Sequence, residues 1–152
     1  MAGALRLMAT PLAPWERDGL RAALIKAGLP AEDVGDPRVH FWRFETYEDV
    51  PVGFGGLELH GADAVLRSIV TLPPVRQLGM GGAIVAQLED EARLHKCRAI
   101  YLVTTSEEDF FADHGYVRCE RKDAPKDVRA SGEFSALPAS SSVVMMKKLG
   151  SA

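Results

Sequence analysis

The chain has 152 residues, of which 47% are hydrophobic and 26% charged, and its formal net charge is -3. That length suits one domain, residues 1–152, and the weak negative charge gives no electrostatic reason to expect nucleic acid or an anionic membrane as partner. No apolar stretch approaches the length of a membrane span and residues 1–10 lack the long apolar region of a signal peptide, so a cytoplasmic protein is the expectation.

In chain order, "ALRLMAT" reads as a short strand. "PWERDGLRAALIKAG" carries Leu20, Ala23, Leu24 and Ala27 at helical spacing, and Gly28 and Pro30 stop it. Three strand candidates follow, "HFWRFET", "VGFGGLELHG" and "AVLRSIVTL", the last two joined by a turn short enough for a hairpin. "GGAIVAQLEDEARLHK" sets Ile84, Val85, Leu88 and Ala92 opposite Glu89, Asp90, Arg93 and Lys96, the pattern of an amphipathic helix. "AIYLVTT" is a near-continuous apolar strand of the kind buried on both faces. Strand, helix and buried strand make a βαβ unit with two parallel strands. A short helix "EEDFFADHG", a strand "YVRCE" and a final strand "SSVVMMKKL" complete the chain. The stretch "DAPKDVRASGEFSALPAS" reads as irregular, with one helical turn after Pro125. The order βαβββαβαββ describes an α/β fold whose mixed sheet is antiparallel early and parallel in the middle.

Between the third of those strands and the long helix lies "VRQLGMGG", with Gly79, Gly81 and Gly82 inside four positions. Free N–H groups at a helix start favour an anion, and bare glycines let phosphate oxygens approach them. A P-loop would need Lys followed by Ser or Thr after its final glycine, where Ala83 and Ile84 stand. A dinucleotide loop would need a third glycine at Ile84, and the wrong strand precedes it. The pyrophosphate loop of acyl-coenzyme A transferases, Arg/Gln-x-x-Gly-x-Gly/Ala, is filled in register by Arg76, Gly79 and Gly81. A glycine-rich turn without a ligand is the fourth reading, and the loop alone leaves the choice open.

The surrounding sequence resembles the GNAT superfamily of acyl-CoA N-acyltransferases. "LRSIVTLPPVRQLGMGGAIVAQLEDEARLHKCRAIYLVTT" is similar to that family's fourth strand, pyrophosphate loop, following helix and fifth strand, and "FFADHGY" to its "FYxxxGF" segment. More narrowly, "LVTTSEEDFFADHGY", "APKDVRASGEF" and "PASSSVVMMKKL" resemble the small acetyltransferases of arsenic-resistance operons. These in turn resemble the acyltransferase domain of N-acetylglutamate synthases. The resemblance implies a GNAT fold with the two parallel strands splayed apart and helices on both faces. It implies acetyl-CoA as co-substrate, with Ile69, Val70 and Thr71 presenting backbone groups to its pantetheine arm and acetyl carbonyl. Gln77, Gly79, Gly81 and Gly82 would then offer N–H groups to the pyrophosphate, with Arg76 opening the loop and Leu78 and Met80 completing the cofactor contact. The family's tyrosine general acid aligns with Phe111, which has no proton to give and would wall the cofactor channel.

An acceptor amine has to lose a proton before it attacks, since a free α-amino group has a pKa of roughly 8. Glu58 and His60 in "GLELHG" lie two residues apart on one strand face; Glu58 is the first candidate base. His60 is the second, or else a substrate contact, and the alternative for both is a solvated pair at a strand end. Arg67 could clamp a substrate carboxylate, or form an ion pair with an acidic neighbour. A hydroxyl of "TTSEE", Thr105 or Ser106, is the candidate to relay a proton to the departing thiolate through water, against the alternative that no dedicated acid exists. His40, His95 and His114 are scattered, Cys97 and Cys119 match no ligand spacing, and no metal site is expected. The expectation is direct acetyl transfer to a small amino-acid-like amine linked to arsenic resistance, by a monomer or homodimer. The alternatives are an acyl-CoA sensor without turnover, and an acetyltransferase acting on protein N-termini or lysines.

Overall fold

The computed structural model describes residues 6–72 and 79–150. Its strands are β1 (Met8–Pro11), β2 (Val39–Glu45), β3 (Pro51–His60), β4 (Asp63–Thr71), β5 (Ala99–Thr104), β6 (Val117–Cys119) and β7 (Val143–Lys148). They form one seven-stranded sheet in the order β1-β2-β3-β4-β5-β7-β6. The helices are α1 (Arg17–Lys26), α2 (Met80–Leu94), α3 (Glu108–Asp113), α4 (Lys126–Arg129) and α5 (Gly132–Ala136). The element order expected from the periodicities holds, with one correction. The stretch expected to carry a single helical turn carries two short helices, α4 and α5.

Alternation along the strands builds a layer on each face of the sheet. On β2, Trp42 and Phe44 join the core cluster of α2, whereas Val39 and Phe41 join Leu20 and Leu24 of α1. A third cluster unites Val65, Val103 and Val144 of the sheet with Val128 of α4 and Phe134 of α5. Cys97 is a buried free thiol where α2 hands over to β5, and burial raises its pKa.

The sheet is irregular at one place. Pairing of β3 with β4 runs Gly56↔Arg67 and then Phe54↔Val70, so Ser68 and Ile69 together oppose Gly55. This is a β-bulge, and Ser68 sits at φ 61°, a left-handed conformation rarely adopted outside glycine. The extra residue shifts the side-chain phase by one. Before the bulge Ala64 and Leu66 face α2; after it Ile69 does, and Val70 turns to the α1 cluster. Glycine on β3 makes room for this: a Cβ at Gly53 would lie 1.9 Å from the Val70 carbonyl oxygen, and one at Gly55 2.6 Å from Leu88 Cδ1 on α2.

Strands β4 and β5 are parallel but share only the pairs Asp63↔Ala99, Ala64↔Ile100 and Val65↔Tyr101. Beyond these, β4 continues with β3 as far as Thr71 and β5 with β7 as far as Thr104. The two strands therefore part after Val65 and Tyr101, just before the bulge.

A Cβ at Gly53 has to displace backbone, whereas one at Gly19 on α1 meets nothing within 4 Å. Gly53→Ala is expected to lower unfolding stability by about 1–3 kcal/mol, and Gly19→Ala to raise it by about 0.5–1 kcal/mol, both read from urea denaturation.

Candidate active site

The gap between β4 and β5 opens into a cleft of about 780 Å³. Ile69, Val70 and Thr71 line one side of it and Leu102, Val103 and Thr104 the other. Because the two strands no longer pair with each other there, their facing edges offer backbone N–H and C=O groups to whatever lies between them. An extended amide-bearing chain is the natural complement.

At one end the cleft reaches the start of α2, where Gly79, Gly81 and Gly82 line it. Gly79 caps the helix at φ 76°, a left-handed conformation that suits glycine and brings no capping side chain to the first-turn amides. The positive end of a fifteen-residue helix lies behind those amides, a field that favours negative charge at this end of the cleft. The glycines also serve packing. A Cβ at Gly82 would lie 2.6 Å from His114 Nε2 and one at Gly81 3.3 Å from Phe110, so α3 seats against this turn. Met80, expected at the cofactor, instead packs against the α2 core cluster and is not part of the lining. Arg76, Gln77 and Leu78 lie outside the described residues.

Phe111 lines the cleft and is buried, its ring edge-on to Phe110 at 5.0 Å and to Tyr116 at 5.7 Å. The neighbouring phenol is no substitute acid. Tyr116 donates to Glu89 Oε2 at 3.0 Å, lies outside the lining, and burial beside that carboxylate drives its pKa far up. Thr105 and Ser106 border the cleft and are open to water. Thr104 Oγ accepts from the Glu107 amide at 3.0 Å and holds the turn into α3.

Next to the bulge stands a buried charge cluster. The Arg67 side chain is fully buried and donates a two-pronged pair of hydrogen bonds to Asp33, both at 2.5 Å. Glu58 Oε2 lies 3.6 Å from its Nη1, and Glu133 Oε1 3.6 Å from its Nη2. Burial works against the guanidinium charge, but the Asp33 hydrogen bonds and the three carboxylates outweigh it and raise its pKa. Glu133 has the opposite balance: burial pushes its carboxyl up to about 7, with Arg67 opposing and Asp33, Glu58 and Glu32 adding to the rise. Glycine at 132 is part of the design, since a Cβ there would lie 2.3 Å from Asp33 Oδ2.

Of the expected substrate and base residues, Arg67 lines the cleft, but with its guanidinium engaged by carboxylates. Of its two sequence readings, the ion pair with an acidic neighbour is what the geometry contains. Glu58 is the first of the expected bases. It is 1% exposed, lies outside the cleft lining, and its Oε1 is 2.9 Å from His60 Nε2. His60 is likewise outside the lining. Sequence reasoning missed Asp33 and Glu133, which come from the α1–β2 connection and from α5. The one available signal was Arg67 itself, since an arginine in the middle of an apolar strand requires a carboxylate from elsewhere.

Comparison with known proteins agrees with this architecture. The family model described as the acetyltransferase (GNAT) family matches residues 5–119. No curated protein matches the sequence. Among solved structures, the fold is similar to that of N-acetylglutamate synthase from Neisseria gonorrhoeae complexed with coenzyme A and L-arginine, with a TM-score of 0.75 and 14% identity. That match covers 95% of this chain and 34% of the synthase chain, so the chain spans about a third of the synthase's length. Rv2747 from Mycobacterium tuberculosis, in complex with coenzyme A, gives a TM-score of 0.75 at 18% identity, covering 94% of this chain and 99% of that one. An acetyltransferase of the GNAT family from Staphylococcus aureus gives 0.70 at 16% identity, covering 95% and 99%. At such identities the likeness is one of fold.

Arg67 is the cation that Asp33, Glu58 and Glu133 share. Removing one partner of a buried charge group typically costs about 3–5 kcal/mol, so Arg67→Met is expected to destabilise by that order near neutral pH. In the variant the Glu133 carboxyl, raised by burial and no longer opposed by Arg67, gains a proton more readily in the folded than in the unfolded state, so stability rises as pH falls. Urea unfolding of both proteins at about pH 8 and about pH 5 should therefore give a smaller difference at the lower pH.

Proposed function

Because the chain belongs to the acetyltransferase (GNAT) family, we propose that it moves an acetyl group from acetyl-CoA directly to the primary amine of a small amino-acid-like acceptor. The observation that carries this reading is the parting of β4 and β5 beyond Val65 and Tyr101, with the start of α2 at one end of the gap. The pantetheine arm, a chain with two amides, is matched to the facing strand edges at Ile69–Thr71 and Leu102–Thr104. The pyrophosphate goes to the first-turn amides of α2, with Arg76 and Gln77 of the preceding loop as further contacts. The thioester then sits at the bulge, where a backbone N–H can hold its oxygen as negative charge develops. Coenzyme A supplies the activated acyl group, and the protein orients it against the amine.

Both substrates bind before transfer, in a ternary complex. The amine attacks the thioester carbonyl, a tetrahedral intermediate forms, and the carbon–sulfur bond breaks as the amide is made. Phe111 acts as an apolar wall where the family's tyrosine would stand. The thiol reference pKa of about 8.5 makes the thiolate a tolerable leaving group, and Ser106 with water is the relay at hand for its proton. A small acceptor is favoured because α5 borders the cleft, with Glu133 and then Leu137 among its lining residues. The resemblance to acetyltransferases of arsenic-resistance operons makes toxic amino-acid analogues, arsenic-bearing ones included, acceptors to test.

Two measurements check this reading. Thiol release from acetyl-CoA is expected with at least one amino acid or toxic analogue. Release only with peptide N-termini or lysine side chains would favour a protein acceptor, and binding without release a sensor. In calorimetry, Gly81→Val is expected to abolish acetyl-CoA binding while thermal unfolding still shows a folded protein; unchanged affinity would remove the pyrophosphate from α2.

A further inference from the structure

We infer that Glu133 is the base that takes a proton from the acceptor's ammonium group, held in place for that task by the buried Arg67–Asp33 pair. The inference rests on the acetyl-transfer reading of the cleft and assigns a role at its acceptor end.

Among the described residues two carboxylates line the cleft, Glu133 and Glu107, and Glu107 is open to water where β5 turns into α3. Glu133 is 4% exposed, and its Oε1 has no hydrogen-bond partner. A buried carboxylate oxygen without a donor normally costs stability, so a site that retains one points to a donor arriving from outside. The side chain is fixed from two directions. Its neighbour Phe134 is buried with Val128, Val103 and Val144, and the Ser131 hydroxyl accepts from the Phe134 amide at 3.3 Å, which sets the start of α5. On its other side Arg67 Nη2 lies 3.6 Å from Oε1, too long for a hydrogen bond but close enough to orient the carboxylate. Arg67 immediately precedes the bulge on β4 and bonds Ser68 Oγ at 3.3 Å, so the guanidinium that Glu133 faces is tied to the strand position where the thioester is proposed to lie.

The charges facing this carboxylate suit a proton acceptor. Arg67 of β4 is the cation in contact with it; Asp33 and Glu32 from the α1–β2 connection and Glu58 of β3 are the anions around it. Lys26 lines the same cleft from the end of α1, exposed to water. Three carboxylates share one buried guanidinium, and its two-pronged hydrogen bonds go to Asp33. An ammonium entering the cleft supplies positive charge that the cluster lacks. Burial and the neighbouring anions also favour the protonated form of Glu133 once it has taken a proton, and put its titration near the working pH of a base.

The step balances simply. The ammonium nitrogen gives its first proton to Glu133 Oε1, leaving a neutral amine whose lone pair forms the carbon–nitrogen bond. The second proton leaves nitrogen as the intermediate collapses and ends on the coenzyme A sulfur. Glu133 returns its proton to water after the amide departs.

The test compares wild type, Glu133→Gln and Glu133→Asp in thiol release from acetyl-CoA with each L-amino acid other than cysteine, whose own thiol would be read, and with the toxic analogues named above. Glu133→Gln is expected to lower kcat about 10²–10⁴-fold near neutral pH and to recover as pH rises and the amine deprotonates unaided. Affinity for acetyl-CoA should be unchanged, and Glu133→Asp, which keeps a carboxylate, should retain more activity than the glutamine variant. A merely structural role would reduce stability instead. Glu133 has a folded pKa of about 7 against an ordinary 4.5, so its ionisation is unfavourable to folding, and that penalty develops as pH rises between the two values. Glu133→Gln should therefore unfold at the same or higher urea concentration than wild type above neutral pH. Undiminished release by Glu133→Gln, equal losses in both variants, or a loss that does not recover with pH would overturn the assignment. Absence of release by wild type with every amino acid, toxic analogue and peptide acceptor would overturn the acetyl-transfer reading together with it.

Discussion

Strands β4 and β5 stop pairing after three residue pairs, and the candidate site is a consequence of that interruption. In a regular parallel sheet the two edges would satisfy each other and leave no room between them. Here the bulge at Ser68 and Ile69 re-aims β4 while it stays bonded to β3, and β7 takes the far edge of β5. Opposite the bulge, β3 carries the bare positions Gly53 and Gly55, without which neither the bulged backbone nor α2 could come so close. Backbone polar groups, normally spent inside a sheet, become a lining for a cleft. The same parting sets the start of α2 at the end of that lining, so strand edges and helix amides face one space.

The bulge is also where the molecule holds its buried charge. Arg67, the residue before it, faces away from α2 into the space between the α1 cluster and the α4–α5 cluster. A lone guanidinium there would be strongly destabilising, and the carboxylates that surround it come from three separate parts of the chain. Asp33 ties down the α1–β2 connection, Glu58 belongs to β3, and Glu133 brings α5 to the cleft. One cation thus ties together two irregular segments, the α1–β2 connection and the stretch that carries α5. The arrangement leaves Glu58 Oε2 and Glu133 Oε1 without hydrogen bonds, a local weakness of the kind proteins keep where a site needs it.

Much of this fold was legible in the sequence because it rests on short-range pattern. Leu20 and Leu24 at helical spacing, the amphipathic run of α2 and the apolar run of β5 each specify an element by their own period. The glycines at 79, 81 and 82 marked the α2 start, although the seating of Phe110 and His114 against them was not readable. The bulge was invisible: "AVLRSIVTL" has the composition of an unbroken strand, and only its pairing with Gly55 reveals the extra residue. Glu58 and His60 were correctly placed on one strand face, but alternation does not say which face meets the cleft. Glu133 was hidden for a different reason. It lies on a five-residue helix that is set by tertiary contacts, through Phe134 and Arg67, and short helices of that kind carry almost no periodic signal.

The proposed function depends on where the interrupted strand pair puts its backbone groups, so the most direct measurement is of those groups. Acetyl-CoA added to ¹⁵N-labelled protein should shift the backbone amide resonances of Ile69–Thr71 on β4, Leu102–Thr104 on β5 and the first turn of α2, and leave β1 and β2 unaffected. Saturable shifts confined to other surfaces, with the amides of the β4–β5 gap unmoved, would contradict the account.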